Sequence, residues 1–189
     1  MNNLAHGELG RDDYLTPPDV CEFGRLCLGG PFDLDPCSQH NRNQIAQAEQ
    51  IFTKEDNGLL QPWNCKRAIV NPPGGRTRLG LMFWTKLIEE YASGRCQSAI
   101  FIAFSIDYLQ TTQNKHPVCP GGMLEFPTIV PSKRLKYWDV TELGVPFQTP
   151  KAMRPSVICI LPPLDGPQPE YRRALLAMNV PGIWLDPEI

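Results

Sequence analysis

Ala68-Ile69-Val70-Asn71-Pro72-Pro73-Gly74 decides how the rest of the chain is read. Lys66 to Val70 has the length and apolar content of a buried strand, and the two prolines stop it abruptly. Proline has no N–H and fixes φ, so the chain after the strand is rigid, extended and rich in carbonyl acceptors. Asn71 adds a side-chain amide at the strand's carboxyl end, which is the edge of an open α/β sheet where ligands bind. Such a cluster suits a planar amino group, because its oxygens accept both N–H hydrogens. That strengthens the amine as a nucleophile only as it reacts, the kind of binding that accelerates chemistry.

Working outward, the spacing predicts a helix over Pro17 to Leu28 with Pro18 in its opening turn, closed by Gly29-Gly30. Pro31 to Asp35 reads as a short strand ending in a carboxylate, and Asn43 to Gln50 as a weak helix before a polar loop at Thr53 to Gly58. Leu79 to Ala92 is the clearest helix, with Leu79, Met82, Phe83, Leu87 and Ile88 at helical spacing. Ser98 to Phe104 is an apolar run of central-strand length, and Asp107 to Gln113 reads as a helical turn. Arg134 to Trp138, Ser156 to Leu161 and Gly182 to Leu185 read as strands, and Gln168 to Met178 as a helix. Strands alternating with helices favour an α/β layered sheet in one domain spanning residues 1–189.

Composition sets the bounds. With 189 residues, 42% hydrophobic and 20% charged, the chain can bury a single core, and 15 glycines with 20 prolines call for many stiff turns. The net charge of −2 excludes binding to nucleic acid by overall charge, so any such contact needs a local basic strip. Arg76 and Arg78, then Lys133, Arg134 and Lys136, are that strip. No apolar run reaches the ~18 residues of a membrane span, and no secretory leader is read at the N-terminus, so an intracellular protein is expected. Seven scattered cysteines without a C-x-x-C argue against a disulfide framework. Cys37 with His40, and His116 with Cys119, are the weak candidates for a metal, though the distance in sequence between the pairs is far longer than in zinc fingers.

Several segments taken in order resemble the phage-type, Dam-like DNA N6-adenine methyltransferases. They are Asp13-Tyr14-Leu15-Thr16-Pro17, Phe32-Asp33-Leu34-Asp35-Pro36-Cys37-Ser38, Asp56-Asn57-Gly58-Leu59 followed by Trp63, and Val70-Asn71-Pro72-Pro73. Phe83-Trp84-Thr85-Lys86-Leu87, Ala99 to Phe104 and Ser132 to Tyr137 extend the likeness, which runs from about residue 12 to 138. The resemblance implies a Rossmann-like sheet with helices on both faces, S-adenosylmethionine as cofactor, DNA as partner and the cytoplasm of a bacterial host as the location. It places Asn71, Pro72, Pro73 and Gly74 at the reacting amine, and Thr16, Pro17, Asp35, Pro36 and Asp56 against the cofactor.

This chain departs from the family pattern in two places. No G-x-G-x-x-G accompanies the Asp35 strand, and Gly74 stands where the family carries the aromatic residue that stacks on the base. Tyr108 and Phe104, after the following strand, are the expected substitutes for that ring, while Trp63, Trp84 and Trp138 read as packing. Two other readings keep the fold: a methyltransferase for RNA, a nucleotide or protein glutamine, or a non-catalytic binding or decoy protein.

Overall fold

Three neighbouring strands carry the core, and each sorts its side chains by parity. The computed structural model describes residues 14–74, 77–113, 121–150, 155–165 and 182–185, together with Ala174 and Met178. Ala68 and Val70 of one strand, Ala99, Phe101 and Ala103 of the next, and Val157, Cys159 and Leu161 of the third share one apolar layer. Ile69, Ile100, Ile102, Ile158 and Ile160 point into the other. Successive side chains alternate across a strand, so a run apolar at every position is a strand covered on both faces.

The elements in chain order are α1 (Pro18–Leu28), β1 (Leu34–Asp35), β2 (Gln50–Ile51), β3 (Ala68–Val70), α2 (Thr77–Ala92), β4 (Ala99–Ala103) and α3 (Tyr108–Thr111). Then come β5 (Thr128–Pro131), β6 (Trp138–Val140), β7 (Pro146–Gln148), β8 (Val157–Leu161) and β9 (Gly182–Leu185). Seven strands form one sheet in the order β2-β1-β3-β4-β8-β5-β9, and β6 with β7 form a separate hairpin. The first four strands are parallel, while β8 runs antiparallel to both β4 and β5, and β9 antiparallel to β5.

The two long helices cover opposite faces. Val20, Phe23, Cys27 and Leu28 of α1 pack on the isoleucine side, whereas Leu79, Phe83, Trp84, Leu87 and Ile88 of α2 pack on the other. Each fully buried Leu, Ile or Phe contributes roughly 1.5–3 kcal/mol relative to exposure. Together they outweigh what helical propensity alone supplies to segments of this length. Gly29 closes α1 at φ 75°, in the left-handed region.

The mixed α/β class expected from the sequence is present, with a helix of the described residues on each face of a seven-stranded mixed sheet. Several element assignments need correction. Asn43 to Gln50 is not a helix: the Asn43 side chain accepts from the Ala48 amide at 2.9 Å and donates to the Ala48 carbonyl at 2.8 Å, and Gln47 sits at φ 50°. Those local bonds compete with a helical ladder. The Lys66 and Arg67 amides go to the Asp33 carboxylate, so the strand begins only at Ala68. Arg134 to Tyr137 alternates exposed and buried side chains as a strand would, yet only Trp138 enters a ladder. The strand at residues 128–131 was not anticipated, and the expected helix over Gln168 to Met178 lies mostly outside the described residues.

Candidate functional site

From β1 the chain moves outward to β2, then returns across β1 to lay β3 on its other side. The strand order therefore reverses between β1 and β3, and a crevice opens at their carboxyl ends, the ordinary ligand position of such sheets. Its walls come from the 14–16 segment, residues 35–46 and Asn71-Pro72-Pro73, with Tyr14, Thr16, Asp35, Ser38 and Arg42 among them. The cleft is about 450 Å³ counted to its open mouth, but its walls stand close, leaving only about 30 Å³ for the centres of water molecules.

Asn71 follows β3 directly. Its Nδ2 donates to the Tyr14 carbonyl at 2.9 Å, and its buried Oδ1 has no hydrogen-bond partner. Turning the amide over would set oxygen against oxygen, so the Tyr14 carbonyl fixes which way it points. An unsatisfied buried acceptor costs about 1–3 kcal/mol. Pro72 and Pro73 are buried beside it. The Tyr14 segment is itself pinned by a reciprocal backbone pair, Leu15 N to Trp138 O at 2.9 Å and Trp138 N to Leu15 O at 3.1 Å.

Asp35, at the end of β1, is buried, and burial pushes its carboxyl up to about 6 against the Cys37 amide, the Cys37 thiol and the Ser38 hydroxyl, which bond it. The Cys37 amide reaches Oδ1 at 3.1 Å. A carboxylate has about four lone-pair sites, so roughly one remains for a further donor. Thr16 is buried in the cleft wall, and Pro17 opens α1 through its carbonyl, which accepts from the Cys21 amide at 3.0 Å. Pro36 is buried behind Asp35, and a Cβ on Gly58 would stand 1.9 Å from its carbonyl oxygen. Asp56 lies outside the cleft lining: exposed, it accepts from the Thr53 amide and hydroxyl, both at 2.8 Å, and those bonds lower its pKa. It caps the turn that brings Gly58 against Pro36.

The structure separates the residues expected at nucleic acid. Tyr108 is buried under α2, its hydroxyl lies where a Cβ on Gly80 would be, and burial pushes its pKa up to about 12. It cannot stack on a base from there. Phe104 packs on Tyr137, their ring centroids 4.8 Å apart. Arg78 is exposed in the first turn of α2, and Arg76 lies outside the described residues. Lys133, Arg134 and Lys136 are exposed along a second groove with Pro17, Pro18, Trp138 and Gln148. Trp63 and Trp84 are core residues, donating to the Gly58 and Gly121 carbonyls. Of the metal candidates, His116 and Cys119 lie outside the described residues, and among those described no group of three or more ligating side chains is present.

Two participants went unassigned in the sequence. Tyr14 is the aromatic residue in the cleft wall; it sits in a quoted motif but owes its place to the Leu15–Trp138 pairing. Arg42 bonds Asp139 of β6 at 2.8 Å, and Gln44 donates to Gly144 at 3.0 Å, which fastens the β6–β7 hairpin beside the mouth. The far end of that hairpin exposes Leu143, Val145 and Phe147, at 91%, 56% and 41%. No local motif announces contacts between residues a hundred positions apart. No protein-family model, curated protein or solved structure matches the chain.

Proposed function

We propose that this protein is an S-adenosylmethionine-dependent methyltransferase acting on the N6 amino group of adenine in DNA. The observation that carries the reading is the unpartnered Oδ1 of Asn71, buried at the point where the strand order reverses. An oxygen left without a donor, on an amide whose nitrogen is already committed, is an acceptor prepared for an N–H that a ligand brings. The proline carbonyls beside it supply further acceptors. Together they hold an amino group and draw its hydrogens, concentrating electron density on the nitrogen.

The cleft chemistry fits the cofactor, which when bound supplies an electrophilic sulfonium methyl group. Asp35 keeps accepting capacity for a hydroxyl donor, and Thr16 and Ser38 line the same walls. The close walls call for the cleft to widen on binding, with the Arg42–Asp139 pair as the contact that must yield. Tyr14 takes the stacking role that Gly74 leaves open, since it is the ring in the cleft wall.

Duplex DNA is favoured by what adjoins the cleft. The Lys133, Arg134 and Lys136 groove offers phosphate contacts, and the apolar hairpin tip is of the kind that wedges between base steps. A base must leave the stack to reach the Asn71 cleft. Mass spectrometry of nucleosides from cells expressing the protein is expected to show N6-methyladenine above background, and cells expressing Asn71→Ala to show none. Equal methylation in both would reject the assignment.

A further inference from the structure

Away from the cleft, at the amino ends of β3 and β4, two cysteines lie side by side. Cys65 and Cys96 are register partners of a parallel bridge, held by the Cys65 amide on Arg95 O and the Gln97 amide on Cys65 O, both at 3.0 Å. Neighbouring strands lie about 4.7–4.9 Å apart, inside the roughly 4.4–6.8 Å between Cα atoms that a disulfide spans. Both cysteines are free, and the Cys96 thiol donates to the Ser98 carbonyl at 3.4 Å. Their accessibility differs sharply: Cys96 is fully buried, while Cys65 lines a surface groove with Lys66 and the Arg67–Asp33 ion pair.

We infer that Cys65 and Cys96 form a redox-active dithiol, closed to a disulfide by small-molecule disulfides such as oxidised glutathione. Cys65 is the attacking residue, since it alone of the pair reaches the groove. Its thiolate displaces one glutathione thiolate, which takes up a proton, leaving a mixed disulfide on Cys65. Cys96 then gives up its proton and attacks the Cys65 sulfur, releasing the second glutathione. Two protein thiols are oxidised and one glutathione disulfide is reduced to two thiols. Cys96 is fully buried, and that burial makes this second step the slower one. The inference does not depend on the methyltransferase reading.

The whole chain, incubated with oxidised glutathione and digested without reductant, is expected to yield a peptide pair linked through Cys65 and Cys96. A mixed disulfide at Cys65 should precede it in the time course. Cys96→Ala should accumulate that mixed disulfide, and Cys65→Ser should abolish both products. Should either variant fail to fold, the wild-type time course alone decides. Glutathione retained on Cys65 without closure, a link from Cys65 to another cysteine, or first reaction at a different cysteine would each overturn the inference.

Discussion

At the scale of single residues, Asn71 and Asp35 both hold the fold at a cost. Asn71 makes one hydrogen bond and buries one oxygen unpaired. Asn71→Ala is relieved of the Oδ1 penalty of about 1–3 kcal/mol but takes the donor from the Tyr14 carbonyl, a loss of similar size. Urea unfolding should therefore find the variant within about 1 kcal/mol of the parent, while methyl transfer falls by about 10²–10³ or more. A clear loss of stability would show that the amide is there for packing. Asp35 is held at about 6 in the folded state against an ordinary 3.8. The folded form thus binds its proton more tightly, so stability is highest at low pH and declines as pH rises between those values. At ~1.4 kcal/mol per pH unit the decline is on the order of 3 kcal/mol. Asp35→Asn should abolish this component: the variant gains on the parent across that window and keeps the gain at neutral pH, measured by unfolding at a series of pH values.

At the scale of elements, the segments read correctly are those whose side-chain pattern is enforced by burial. The two long helices and strands β3, β4 and β8 are apolar where they touch the core, so periodicity reveals them. β1 is legible in the Pro31 to Asp35 run although only Leu34–Asp35 pairs, whereas β2 is two residues long and β5 ends in a proline, length and composition too slight to read. The Asn71-Pro72-Pro73 corner was legible as a wall of the cleft because its sequence pattern is local. Tyr14 and Arg42 were not, because distant strand and hairpin contacts bring them in. Tyr108 was misplaced by nearness in sequence, since α3 turns its ring under α2. The turn over residues 53–60 sets Gly58 against the Pro36 carbonyl behind the cleft. Gly58→Ala forces backbone against side chain and should cost about 1–3 kcal/mol by thermal unfolding. It should also weaken S-adenosylmethionine binding in calorimetry, because Pro36 follows Asp35 directly.

At the scale of the whole molecule, the net charge of −2 sets an acidic body against a basic groove. Affinity for DNA should then fall steeply with salt, each neutralised phosphate adding about 0.9 to the slope of log affinity on log salt. Lys133→Ala with Lys136→Ala should flatten that slope by up to about 2 while leaving S-adenosylmethionine binding unchanged. An unaltered slope would move the phosphate contacts elsewhere.

The position of β8 has a bearing on synthesis. It lies between β4 and β5 in the sheet, yet its residues, 157–161, come after both in the chain. While the polypeptide is emerging from a ribosome, β4 keeps an open edge of unpaired amides and carbonyls until residue 161 is free, and β5 has no neighbour to join. Such an edge recruits strands from other chains. Arrested nascent chains ending short of β8 should bind chaperones heavily, and chains extended past it should let them go.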